Sequence, residues 1–221
     1  WLAAEMRRDL VRDKWVVIAT DRALKPGDFP INKSGGAEID RQQFCPFCEG
    51  HESHTPPEVA AYRPPNRPVN GPGWSIRVVP NKFSPFKLQG ALELVEDGIF
   101  QSCNLLGKHE VLVETPCHGL EFHDFNPGQI ELVYRMVRQR YAELSADQRI
   151  KYIQIYKNRG LFAGASMSHS HTQILALPAV PGENRGLNRY FKEHRRCLLC
   201  SIMEKEKKQQ IRVIAESEHF M

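Results

Sequence analysis

Between Ala163 and Gln173 the chain reads Ala-Gly-Ala-Ser-Met-Ser-His-Ser-His-Thr-Gln, and an apolar run from Ile174 to Leu177 follows at once. In an extended strand alternate side chains share one face, so His169, His171 and Gln173 would project together at intervals of roughly 6.6 Å. A lone strand histidine is more often a satisfied structural residue than a catalyst. Two of them with a glutamine, placed after a glycine turn, point to chemistry: one ring can bind a metal while the next attacks an electrophile.

Cys45-Pro-Phe-Cys48 is the second constraint, and Cys197-Leu-Leu-Cys200 repeats its spacing far downstream. Thiolates two residues apart suit half of a tetrahedral zinc shell. Cys-Pro-Phe-Cys also resembles a glutaredoxin active site, which would need an apolar strand before it and a helix after it. Here Arg41-Gln42-Gln43 precedes and a polar loop from Glu49 to Pro57 follows, whose prolines oppose a long helix. Zinc is therefore the favoured reading. The even count of six cysteines permits disulfides, but nothing resembles a signal peptide, and a reducing, cytoplasmic compartment is expected. The remaining zinc ligands have many candidates: His51, His54, His109, His118, His123, His169 and His171. Spacing alone does not choose among them. His118 closes the strand-like run Glu110 to His118, and a rigid strand end suits a ligand, while His51 and His54 compete by proximity to Cys48.

A chain of 221 residues with 41% hydrophobic content can bury one full core and part of a second. No apolar run is long enough to span a bilayer, so no membrane partner is expected. The net charge of +4 is modest and its basic residues are dispersed, which fits a small phosphate-bearing substrate and argues against nucleic acid.

The periodicity is mixed. Trp15–Ala19, Trp74–Val79 and Tyr152–Tyr156 are strand-like, and Asn81–Phe86 reads as an ordered loop. Asn126-Pro127 offers an N-cap and a first-turn proline, and Ile130, Val133, Val137, Tyr141 and Leu144 recur at helical spacing. Strand, long helix, strand, glycine turn and histidine strand give one α+β layer. Residues 1–180 are taken as one domain. Residues 181–221, with their own cysteine pair, read as the beginning of a second, incomplete one.

Several collinear motifs then bring a family into view: Trp15 with Asp21-Arg-Ala-Leu-Lys-Pro26, the Cys45/Cys48 pair, Asn81-Lys-Phe83, Thr115-Pro-Cys-His118, Asn158-Arg-Gly160, and Gly164 through Gln173. Across nearly its whole length the chain resembles the galactose-1-phosphate uridylyltransferase family, the transferase branch of the histidine triad superfamily, including its ADP-glucose phosphorylase-like relatives. The resemblance implies an α+β fold with a curved antiparallel sheet and flanking helices, two related domains in tandem, and a homodimer. It implies zinc held by Cys45, Cys48, His118 and His169, with His171 as nucleophile and Gln173 as its companion. Arg22, Lys25, Asn158, Gly164 and Ser166 would lie near the nucleotide phosphates, and Asn81 and Phe83 would border base and ribose. The implied activity moves a nucleoside monophosphate between sugar 1-phosphates through a nucleotidyl-histidine, as in UDP-glucose:hexose-1-phosphate transfer. Its partners are a nucleotide sugar and a sugar 1-phosphate. Many uridylyltransferases carry proline between the two histidines. Ser170 stands there in this chain and looks more like the ADP-glucose phosphorylase branch, in which inorganic phosphate is the acceptor; a zinc-stabilised nucleotide-binding module without catalysis is the remaining alternative.

Overall fold

The computed structural model describes residues 4–19, 44–165, 167–182 and 185–220. Its strands are β1 (Glu5–Asp9), β2 (Lys14–Ile18), β3 (Ala60–Tyr62), β4 (Ile76–Pro80), β5 (Leu94–Asp97), β6 (Phe100–Asn104), β7 (Lys108–Val113), β8 (Tyr152–Tyr156) and β9 (His171–Leu177). Three α-helices join them: α1 (Pro127–Ser145), α2 (Arg185–His194) and α3 (Leu198–Gln209). The architecture is α+β. No helix among the described residues is long and apolar enough to cross a membrane.

Among the described residues two antiparallel sheets form, ordered β2-β1-β6-β5 and β3-β4-β7-β9-β8. The five-stranded sheet carries the main core. Alternation places Ile76 and Val78 of β4, Leu112 of β7, Ile153 and Ile155 of β8, and Ile174 and Ala176 of β9 against Val133, Met136 and Leu144 of α1. Burying each such side chain contributes roughly 1.5–3 kcal/mol. The expected helix start is present: the Asn126 side chain accepts from the Gln129 N–H at 2.9 Å, and Pro127 occupies the first turn, where its missing N–H costs nothing. Helix and sheet are also joined by a buried ion pair. Arg140 donates from Nε and Nη2 to the two Glu110 oxygens, both at 2.8 Å.

The opposite face of this sheet is fixed by register. Arg77, Val113 and His171 align across β4, β7 and β9, and Val79, Val111, Gln173 and Tyr156 align one pleat further along. Every residue with α1 behind it thus has a neighbour facing the other way, and His171 and Gln173 are among the latter.

Three expectations are corrected in detail. β9 begins at His171, so His169 precedes the strand instead of belonging to its row, although the Glu114 N–H still donates to the Ser170 carbonyl at 3.2 Å. β7 ends at Val113, and His118 lies in a turn beyond Pro116, a residue with no N–H to continue a ladder. β4 begins at Ile76; Trp74 precedes it as a buried anchor whose indole N–H donates to Glu52 at 2.7 Å.

Candidate active site and metal centre

The loop after Phe44 brings Cys45 and Cys48 under the start of β9, where they meet His118 and His169. The four ligand atoms all lie within 4.8 Å of one another. His169 Nδ1 is 3.6 Å from both sulfurs, and His118 Nδ1 is 3.4 Å from that of Cys48. A tetrahedral zinc with sulfur at about 2.3 Å and nitrogen at about 2.0 Å would separate such atoms by about 3.5 Å. The donor set therefore fits zinc. Each far ring nitrogen is also engaged: His169 Nε2–H donates to the Thr115 carbonyl at 2.8 Å, and the Ser168 hydroxyl is 3.3 Å from His118 Nε2. These partners turn both Nδ1 atoms toward the centre.

Electrostatics agree with a cation here. Burial, reinforced by the adjacent Cys45 sulfur, pushes the Cys48 thiol up to about 11, and two thiolates this close are stabilised together by a divalent ion. Burial also pushes His169 down to about 4, keeping it in the neutral form that a ligand requires. The competing histidines are placed elsewhere. His51 Nδ1 donates to the Cys45 carbonyl at 2.7 Å, and both His51 and His54 pack on Phe44. The residues after Cys48 form turns and one short 3₁₀ segment, not the helix that a thiol redox site would need.

His171 is 6% exposed, and its Nδ1 lies 2.8 Å from the His169 carbonyl. A carbonyl only accepts, so Nδ1 carries the proton and Nε2 keeps its lone pair. Burial, with Lys157 adding to it, holds the imidazole below its usual range and hence neutral. Phe47, from inside the Cys45–Cys48 loop, sets its ring 5.5 Å from that of His171. One short loop thus supplies two of the four clustered donor atoms and a wall for the nucleophile candidate.

Behind the histidines sits Glu114, fully buried. Its carboxylate accepts from Ser170 Oγ, Thr172 Oγ1 and Lys157 Nζ, each at 2.6 Å, and Lys157 Nζ also reaches Ser170 Oγ at 2.8 Å. Ser170 and Thr172 flank His171, so both hydroxyls pin its backbone from the core side. Gln173, one pleat on, accepts at Oε1 from the Tyr156 hydroxyl at 3.0 Å and from His109 Nε2 at 2.8 Å.

The other sequence candidates fall variously. Asn81 accepts from the Phe83 N–H at 2.9 Å and places its amide 3.3 Å from His109 Nδ1, beside the site, whereas the Phe83 ring is 70% exposed. Asn158 follows β8 half-buried, and Gly164 (φ +75°) closes the turn before β9. No hydrogen bond among the described residues ties Asn158 or Gly164 to His171. Arg22, Lys25 and Ser166 lie outside the described residues. Reading the sequence missed Phe47, Glu114, Lys157 and Tyr156, of which only Phe47 had a signal, its place between the paired cysteines, and it took His109 for a candidate zinc ligand where the structure sets it against Gln173.

Residues 4–181 match the model of the N-terminal domain of galactose-1-phosphate uridyl transferase. The chain belongs to this family. It is 35% identical over 98% of its length to the ADP-glucose phosphorylase of Arabidopsis thaliana, and 34% identical over 98% to the galactose-1-phosphate uridylyltransferase of Thermotoga maritima. It covers 60% and 61% of those two relatives, so it spans about three fifths of the proteins it matches. A crystal structure of the Arabidopsis ADP-glucose phosphorylase with bound ADP-glucose superposes with a TM-score of 0.57 at 30% identity, covering 91% of this chain and 59% of that one. A uridylyltransferase structure at 23% identity and a TM-score of 0.66, covering 96% of this chain and 59% of that one, shares the fold.

Proposed function

We propose that this protein moves a nucleoside monophosphate from a nucleoside-diphosphate hexose to a second phosphate, through a covalent intermediate on His171. The observation that carries the reading is the Nδ1–H bond from His171 to the His169 carbonyl, which leaves Nε2 as a neutral nucleophile beside the amide of Gln173. In the first half-reaction the Nε2 lone pair forms a bond to the α-phosphorus, and the bond from that phosphorus to the bridging oxygen breaks. Its electron pair leaves with the sugar 1-phosphate. In the second, an acceptor phosphate oxygen bonds to the same phosphorus and the N–P electron pair returns to Nε2. The His171 proton stays on Nδ1 throughout, so no general acid is needed for a phosphate leaving group. Gln173 offers a neutral N–H donor to a non-bridging oxygen as charge develops there.

Cys45, Cys48, His118 and His169 would hold a structural zinc. With four protein ligands it has no open position, and what it supplies is a fixed approach to His171. Glu114, Ser170 and Thr172 hold the same backbone from below. Arg22, Lys25, Asn158, Gly164 and Ser166 belong to the proposed phosphate-binding set, Asn81 and Phe83 to the nucleoside side. Residues 181–221 are proposed to open the second domain of a cytoplasmic homodimer.

Two acceptors compete, a hexose 1-phosphate and inorganic phosphate. Ser170, in place of proline, and the 35% identity to an ADP-glucose phosphorylase favour phosphate and an adenine nucleotide as the second reading. Single-turnover release tests the proposal. Excess protein mixed with UDP-glucose or ADP-glucose alone should release sugar 1-phosphate while the nucleotide stays on the protein, and steady-state rates with galactose 1-phosphate against inorganic phosphate then choose the acceptor. Release that requires an added acceptor would replace the covalent route with a direct one.

A further inference from the structure

A glutamine amide has two nearly isosteric ends, and only one of them suits a phosphoryl group. The –NH₂ donates, whereas the oxygen would repel phosphate oxygens. Nothing in the side chain's shape decides which end faces the substrate, so its partners must. We propose that Asn81, His109 and Tyr156 form a polarised hydrogen-bond chain that turns the Gln173 amide so that –NH₂, never the oxygen, is presented to the reacting phosphoryl group. The proposal rests on the transfer reading of the same site.

The chain starts at a group whose sense is beyond choice. The Phe83 backbone N–H can only donate, and it donates to Asn81 Oδ1 at 2.9 Å. The Asn81 –NH₂ must then face the other way, and it lies 3.3 Å from Nδ1 and 3.4 Å from Nε2 of His109. An amide –NH₂ serves only a ring nitrogen without a proton. His109 Nε2 is already engaged by the Gln173 amide at 2.8 Å, so Nδ1 is the nitrogen left to accept from Asn81; the neutral ring then carries its proton on Nε2, and that N–H calls for the oxygen end of Gln173. The Tyr156 hydroxyl donates to the same Gln173 oxygen at 3.0 Å. Both acceptor positions of Oε1 are thereby used, and rotating the amide by half a turn would set –NH₂ against the His109 Nε2–H and give up the bond donated by the Tyr156 hydroxyl.

The fold makes the arrangement rigid. Tyr156 is the cross-strand partner of Gln173 between β8 and β9, and His109 pairs with Leu175, a diagonal neighbour on β7. Asn81 is tied to the same place by its backbone, whose N–H donates to the His109 carbonyl at 2.8 Å. His109 and Tyr156 are positioning residues; Asn81, on the nucleoside side of the site, acts on Gln173 through His109.

The test uses full-length, zinc-loaded protein and rapid-quench measurement of sugar 1-phosphate release in a single turnover. At saturating nucleotide sugar Tyr156→Phe and Asn81→Ala should each slow release by about fivefold to tenfold, the worth of one hydrogen bond, with nucleotide-sugar affinity little changed in Tyr156→Phe. His109→Phe should slow it more. In a Gln173→Ala background the same three substitutions should have almost no further effect, since they act through an amide no longer present. Equal slowing in both backgrounds would overturn the proposal. A second readout is independent of turnover: long-range ¹H–¹⁵N correlation of histidine-labelled protein, with the His109 signals assigned by their loss in His109→Phe. An Nε2–H tautomer supports the chain and an Nδ1–H tautomer overturns it. If the parent protein shows no transfer at all, the transfer reading fails, while the tautomer still decides the polarity of the chain.

Discussion

Cys45/Cys48 and Cys197/Cys200 share a spacing and almost nothing else. The first pair lies where a loop passes under β9, with Cys45 buried and two histidine nitrogens 3.4–3.6 Å from its sulfurs. The second is exposed at the start of α3 and belongs to no group of potential metal ligands among the described residues. Each pair holds one raised thiol, Cys48 by burial and Cys200 by the adjacent Cys197, but one thiol of the exposed pair is also lowered. Burial pushes Cys48 up, whereas the Cys200 backbone N–H, at the head of α3, pulls Cys197 below the usual thiol range. A two-residue spacing brings two sulfurs together; what they do depends on which other elements the fold brings to them.

The largest contrast should come from removing one sulfur from each pair. In full-length protein Cys48→Ser should lose the histidine-ligated zinc, measured by metal analysis, together with nucleotidyl transfer and several kcal/mol of stability. Cys200→Ser should leave that zinc and transfer in place; equal losses from the two substitutions would break the comparison. Glu114→Ala comes next. It strips two hydroxyls and Lys157 of their buried acceptor and should cost about 3 kcal/mol in chemical denaturation. Thiol labelling sharpens the acidity contrast. A depressed thiol pKa leaves more thiolate at a given pH, so after zinc removal by a chelator Cys197 should be alkylated at neutral pH about tenfold or more faster than Cys48, as peptide mapping would show. The smallest effect is expected from Asn126→Ala, which removes the α1 cap for about 1 kcal/mol and should lower the melting temperature without altering zinc content.

Much of the frame was legible in the residues themselves. The Asn126-Pro127 cap, the helical spacing after it and the strand at Tyr152–Tyr156 are local signals, and each appears where its pattern places it. The four-stranded sheet was not foreseen beyond β2, although Gly98, at φ +58° in the two-residue turn between β5 and β6, carries the local signature of a hairpin. The choice of His118 over His51 and His54 came from family resemblance, because spacing in sequence says nothing of where a turn beyond Pro116 will return. Glu114 and Tyr156 were invisible, and His109 was weighed only as a zinc ligand, for a related reason. Their roles depend on the register of β7, β8 and β9, which is set by non-local pairing.

The central claim is that His171 becomes covalently nucleotidylated. Its most direct test is intact and peptide mass measurement of full-length, zinc-loaded protein after brief incubation with ADP-glucose and, separately, UDP-glucose, held at neutral or alkaline pH to preserve a phosphoramidate. The account predicts one nucleoside-monophosphate adduct, mapped to His171 and absent from His171→Ala, with turnover in that variant reduced by roughly 10⁴-fold or more. Turnover by the parent without any adduct, or an adduct that persists in His171→Ala, would contradict it.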